Sequence, residues 1–134
     1  MTNNVFIVDN LKDLRVLQRI FREAKFSKDA DDLEISPSPL VASLFQKLMD
    51  ALIAEDILQN GQDAGTRWHE WLEINDSRDE WEAALNRAKN SPYWYTFTEA
   101  ERIDFVITIF SPFIISSDLI QRFIFLVNEQ FIKK

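Results

Sequence analysis

The scarcity of chain-breaking residues is the feature that most limits how this sequence can fold. Only two glycines and four prolines occur among 134 residues. Sandwiches and barrels need turn residues at intervals of about ten residues, whereas long helices need few. An apolar content of 46% is ordinary for a globular chain and is enough for a core. The sequence therefore predicts one all-α domain over residues 1–134, a compact bundle of five to six helices.

Apolar periodicity and capping residues together predict where these helices begin and end. Asp9 or Asn10 is suited to cap the first helix, and Ser38 the second. Ser77 with Glu80 and Thr98 with Glu101 have capping-box spacing, which predicts two further starts. The predicted helices cover residues 10–26, 39–60, 64–74, 77–90 and 98–110, with a last one from residue 117 or 118 to the C-terminal lysines. Residues 27–39 are predicted to form a flexible loop.

Two of these helices have clear faces. In the first helix, the predicted core face contains Leu14, Leu17, Ile20, Phe21 and Ala24. The opposite, solvent-facing side contains four basic residues, Lys12, Arg15, Arg19 and Arg22. In the second helix, the predicted core positions are Leu40, Val41, Leu44, Phe45, Leu48, Met49, Leu52 and Ile53.

The inventory of reactive side chains argues against catalysis. The absence of cysteine excludes disulfides, thiol nucleophiles and thiolate metal sites. The single histidine, His69, lies four residues before Glu73, but two ligands are too few for a transition-metal site. A serine triad would have to use His69, and a carboxylate pair for glycoside hydrolysis would come from residues that usually form a solvated face. We expect no enzyme activity, no metal and no cofactor.

Residues 66–82 stand out for combining aromatic rings with negative charge. They include three of the four tryptophans and six carboxylates, and residues 50–82 carry ten acidic against two basic groups. Rigid rings and dense carboxylates suit the binding of a basic protein. The predicted partner-binding residues are Trp68, Glu70, Trp71, Glu73, Asp76, Asp79, Glu80 and Glu82. Trp68, Trp71 and Trp81 also have the spacing of a core face, so the sequence leaves open whether they are core or interface.

In size, acidity and lack of catalytic residues, the chain resembles bacterial immunity proteins of contact-dependent inhibition or secretion systems. The acid density of residues 66–82 is the feature that carries this resemblance. Members of that group are small cytoplasmic proteins that neutralise toxic domains, many of them nucleases with basic clefts. The resemblance implies a stoichiometric inhibitor of a cognate toxin domain, and it transfers no residue roles.

Two further expectations come from the residues themselves. The alternative function is a small regulator or adaptor that contacts nucleic acid or another protein through the basic face of the first helix, although the net charge of −7 disfavours nucleic acid. The connector Tyr93-Trp94-Tyr95 is expected to plug one end of the bundle. With no secretion signal and no apolar span of membrane length, we expect a cytoplasmic protein without a membrane partner.

Overall fold

The computed structural model describes residues 5–27 and 34–132, and these form an all-α bundle, which confirms the predicted fold class. The six helices are α1 (Leu11–Phe26), α2 (Pro39–Asn60), α3 (Gln62–Leu72), α4 (Asp79–Lys89), α5 (Glu99–Phe110) and α6 (Ser117–Ile132). A single 3-10 turn, Trp94–Thr96, lies between α4 and α5. Within the described part of the chain, no helix is long and apolar enough to cross a membrane.

Local signals explain most helix boundaries. The side chain of Asn10 accepts a hydrogen bond from the Asp13 amide at the start of α1, and Ser38 does the same for Val41 in α2. The predicted capping box of Thr98 and Glu101 is confirmed, with both reciprocal bonds present. Helix α5 ends at Phe110, immediately before Ser111-Pro112, as predicted.

The predicted capping box of Ser77 and Glu80 is wrong. Helix α4 begins after Arg78, and no side chain caps it. The Ser77 hydroxyl instead donates to the side-chain oxygen of Asn75, 2.6 Å away, inside the preceding turn. Glu80 is buried and pairs with Arg78, so its carboxylate does not reach back to the helix start. A short local bond and a buried ion pair have replaced the predicted cap.

Both glycines belong to the tight α2–α3 hairpin. Gly61 ends α2 with a φ of 88°, a left-handed conformation that favours glycine, and its amide donates to the Ile57 carbonyl. Gly65 faces α2 closely: a Cβ there would lie 2.8 Å from Cδ1 of Ile57. The two helices therefore pack with less separation than ordinary side chains would permit.

The core lies where α2, α4, α5 and α6 meet. Trp81, Phe110 and Phe123 form an aromatic cluster with ring centroids 5.4–5.9 Å apart. Fully buried residues of α2, including Phe45 and Met49, complete this centre. Aromatic rings bury large apolar areas, so this cluster is a major source of stability.

The buried faces of α1 and α2 differ in part from the predicted ones. On α1, Leu14 is buried as predicted, but Ile20 is 56% exposed. The helix also buries Leu11, Gln18 and Lys25, which the prediction did not include. In α2, Leu40 and Leu44 are exposed, and Asp56 lies on the buried side. The prediction considered only apolar residues, whereas the buried stripe of each helix also includes polar residues. Residues 28–33 of the predicted flexible loop and the C-terminal lysines lie outside the described residues.

Candidate functional site

Four of the eight predicted partner-binding residues lie on one short helix, α3, or at its end, and they fall on both of its sides. Arg67, Trp68 and Trp71 line a cleft shared with α1 and the end of α2. His69, Glu70 and Glu73 line a shallow depression that faces the other way. At 100° per residue these two sets lie on opposite sides of the helix. The structure therefore separates the two accessible tryptophans from the nearest carboxylates.

Five of the six predicted carboxylates are exposed around the α3–α4 connection, and we call them the acidic corner. They are Glu70, Glu73, Asp76, Asp79 and Glu82. Glu73 lies 3.7 Å from the imidazole of His69, and Asp76 lies 3.5 Å from the guanidinium of Arg122 on α6. Within the described residues, no cation lies within ion-pairing distance of Glu70 or Asp79.

Glu80 does not belong to this exposed set, which corrects the prediction that it faces solvent. It is 8% exposed, and its carboxylate accepts two hydrogen bonds from Arg78, at 3.0 and 2.7 Å. Trp81 is also buried, at the centre of the aromatic cluster. Trp81 is therefore a core residue, which settles the alternative that the sequence left open for it.

Arg78 fixes the backbone of the acidic corner to the core. Its guanidinium lies over the rings of Trp71 and Phe113, 5.1 and 4.7 Å from their centroids. It also donates to the Trp71 carbonyl, in addition to the carboxylate of Glu80. An isolated β-bridge between Glu73 and Ile114 ties the same segment to the α5–α6 connection. The acidic corner is thus held on a rigid support.

Trp68 and Trp71 are both half-buried and contact each other edge to face, with centroids 5.3 Å apart. The indole N–H of Trp68 donates to the Asp56 carboxylate at 2.6 Å, and the same carboxylate accepts from Asn60 at 2.6 Å. These hydrogen bonds, with the Arg15 guanidinium 3.5 Å away, hold the pKa of Asp56 below its ordinary value.

The cleft beside these rings is basic. It has a volume of about 770 Å³ and is lined by Trp68 and Trp71 together with Arg15, Gln18, Arg19, Arg22, Asp56, Asn60 and Arg67. From the sequence, only the basic face of α1 was expected at this site. The contribution of α3 was not predicted, because spacing along one helix does not show which neighbour packs beside it. Asp56 was the available signal, since it continues the apolar stripe of α2.

Asp56 is expected to stabilise the fold as well as the cleft. Asp56→Asn should lower the free energy of unfolding by about 1–3 kcal/mol at neutral pH, because the charged acceptor of Trp68 is lost. A depressed pKa contributes stability above the ordinary aspartate range, and that contribution is lost on acidification through the folded-state pKa. Urea unfolding at pH 7 checks the loss, with the exposed Asp50→Asn as the matched control. Equal stability of the two variants would contradict the assigned role.

The three aromatic residues of the connector Tyr93-Trp94-Tyr95 differ in burial. Trp94 is fully buried, its indole N–H donates to Asn128 at 2.8 Å, and the Arg102 guanidinium lies 5.2 Å from its ring centroid. Tyr93 and Tyr95 are exposed. The predicted plug is therefore confirmed for the tryptophan alone.

The residues that the structure describes contain no group of three or more histidine and carboxylate side chains placed to hold a metal ion. Comparisons with family models, curated proteins and solved structures found no match to this chain.

Proposed function

We propose that this protein is a stoichiometric inhibitor, an immunity protein that neutralises a cognate basic toxin domain, most simply a nuclease, through its acidic corner. The observation that carries the proposal is the placement of Glu70 and Glu73 at the C-terminal end of α3. Helix C-termini carry a partial negative charge, so carboxylates there weaken the helix by roughly 0.3–1 kcal/mol each. A charge at a position where it destabilises the fold is typical of a binding surface.

The other carboxylates have a structural explanation of their own. Asp79 and Glu82 lie in the first turn of α4, where negative charge stabilises the helix. Asp76 is paired with Arg122 of α6, whereas the ion-pair partner of Glu73 among the described residues is the exposed His69. We therefore place the most important contacts at Glu70 and Glu73, with Asp76, Asp79 and Glu82 extending the negative field that steers a basic partner.

Rigidity supports the same proposal. Binding costs less when the interacting groups are already ordered, and Arg78 with the Glu73–Ile114 bridge orders the backbone of this corner. A basic cleft that normally binds phosphates would then meet preformed carboxylates. The buried Trp81 and the half-buried Trp71 support the corner from within, and neither needs to contact the partner.

Charge reversal at the end of α3 tests this placement. Glu70→Lys with Glu73→Lys should weaken partner binding by at least about a hundredfold, because attraction becomes repulsion at two contacts. The same change should leave the fold intact or slightly more stable, since lysine suits a helix C-terminus. The partner is first captured from source cells with tagged protein and a salt gradient, and identified by mass. Binding constants and toxin inhibition are then measured with the purified partner.

The matched control is Asp50→Lys with Asp104→Lys, which makes the same change in net charge at exposed positions of α2 and α5. We expect this control to retain near-normal affinity. If both double variants bind the partner equally well, overall charge and not the acidic corner governs association, and the placement is wrong.

A further inference from the structure

The basic cleft between α1 and α3 is a second candidate site, independent of the acidic corner. Four arginines line it against one aspartate, a net charge of +3 in a chain whose net charge is −7. Arg15, Arg19 and Arg22 are four and three residues apart, so they lie along one side of α1. Like charges at this spacing repel and weaken a helix. Such a cluster is expected where an anion compensates the repulsion.

Two of the four arginines in the cleft have an ion-pair or ring partner among the described residues, and two do not. Arg15 lies 3.5 Å from Asp56, and the Arg22 guanidinium lies 5.8 Å from the ring centroid of Trp71. Among the described residues, no carboxylate lies within 4 Å of Arg19 or Arg67. Guanidinium groups bind phosphate oxygens through paired, charge-assisted hydrogen bonds. The cleft therefore offers Arg19 and Arg67 as phosphate-binding groups that have no ion-pair partner among the described residues.

Gln18 is a second feature of the cleft that indicates a ligand. It lies on α1 among these arginines and lines the cleft, yet it is only 6% exposed. Its amide nitrogen has no hydrogen-bond partner within the described part of the chain. A buried, unsatisfied donor weakens a fold, and such a group in a cleft is explained when a ligand oxygen accepts its bond.

Trp68 supplies a flat apolar surface beside these donors. The Asp56 carboxylate fixes its indole nitrogen, which orients the ring. Trp71 has guanidiniums of Arg22 and Arg78 near its ring, whereas no cation is found over Trp68 among the described residues. Aromatic side chains beside arginines are the usual means of binding a nucleobase next to its phosphates.

We propose that this cleft binds a nucleoside di- or triphosphate, with Arg15, Arg19 and Arg22 on the phosphates and Trp68 against the base. The volume of about 770 Å³ suits a ligand of that size. A compact ligand is favoured over a nucleic-acid strand because the negative field of the whole chain would repel phosphates that extend beyond the cleft. Gln18 would donate to an oxygen of the bound ligand.

Calorimetric titration with adenosine diphosphate tests the proposal. We expect saturable binding of one ADP per chain, much weaker binding of inorganic pyrophosphate and of adenosine, and weaker binding of a short single-stranded oligonucleotide. Arg19→Ala should weaken ADP binding by about tenfold or more, since it removes charge-assisted hydrogen bonds. Lys47→Ala is the matched control, because Lys47 is exposed on α2 and does not line the cleft.

Gln18→Met separates a binding role from a structural one. Methionine has a similar shape and no donor, so this variant should keep or raise the melting temperature while weakening ADP binding. Three results would overturn the proposal: no binding of ADP, equal effects of Arg19→Ala and Lys47→Ala, or tighter binding of the oligonucleotide than of ADP. The last result would favour nucleic acid on the basic face of α1. None of these results bears on the acidic corner, whose test uses other residues.

Discussion

Arg78→Met is expected to lower the free energy of unfolding by about 3–5 kcal/mol, the usual cost of leaving one member of a buried ion pair uncompensated. The substitution retains an apolar stem against Trp71 and Phe113. It removes the guanidinium, which donates to Glu80 and to the Trp71 carbonyl. Glu80 would then be buried without its cation. Urea unfolding followed by circular dichroism measures the change, read as a lower midpoint at an unchanged slope.

Two comparisons make this result specific. Glu80→Gln combined with Arg78→Met should recover much of the stability, because no buried charge is left without a partner. Arg122→Met removes an exposed arginine whose ion pair with Asp76 is also exposed, and it should cost no more than about 1 kcal/mol. If Arg78→Met proves as mild as Arg122→Met, Arg78 does not fix the acidic corner to the core.

The stability of the protein is expected to rise between pH 7 and pH 9 because of Lys25. This lysine is 2% exposed, and burial lowers its pKa from 10.5 to about 7. Its amine donates to the carbonyls of Thr108, at 2.8 Å, and Ser111, near the end of α5. No carboxylate lies within 4 Å of it in the described residues, so its charged form gains no ion pair.

The direction of this pH dependence follows from the number of protons that the folded and unfolded chains bind. Between about pH 7 and pH 10.5 the unfolded chain holds a proton on Lys25 that the folded chain does not. The free energy of unfolding therefore increases with pH in that range, by up to about 1.4 kcal/mol per pH unit, or about 2 kcal/mol from pH 7 to pH 9. Below pH 7 this dependence ends, because both states bind the proton.

Urea unfolding at pH 7, 8 and 9 measures the slope in the native protein and in Lys25→Met. The methionine variant has nothing to titrate at this position, so its slope should be nearly flat. Lys47→Met, at an exposed position of α2, should retain the native slope. A slope that survives in Lys25→Met would assign the pH dependence to other groups.

The sequence was sufficient for the fold because helix periodicity and caps are local. Ser38, Thr98 and Ser111-Pro112 act on neighbouring residues, so their effects were readable without knowing the tertiary structure. The Ser77 cap failed because Arg78 has a stronger use elsewhere, in contacts with Trp71, Phe113 and Glu80. Contacts of that kind are not visible from spacing along the chain.

The candidate sites were only partly predictable for the same reason. The exposed carboxylates follow from their position on short polar segments, whereas the burial of Glu80 depends on Arg78. The cleft depends on α1 and α3 lying side by side. Periodicity along one helix gives no information about which helix is its neighbour. A useful signal was nevertheless present: Gln18, Lys25 and Asp56 are polar residues in register with a buried apolar stripe. Buried polar residues usually have a hydrogen-bond partner or a ligand. Here Lys25 donates to backbone carbonyls, Asp56 accepts from Trp68, and Gln18 lines the cleft.

The position of α3 between surfaces of opposite sign has a consequence for the molecule in dilute buffer. The basic cleft and the acidic corner lie on opposite sides of the same helix, so one copy of the protein can attract the unlike surface of the next. Such head-to-tail contacts leave an unsatisfied surface at both ends and do not close into a ring unless the geometry permits it. Added salt shortens the reach of these charges to about 8–10 Å near physiological ionic strength. We therefore expect any attraction between copies of the protein to weaken as ionic strength rises.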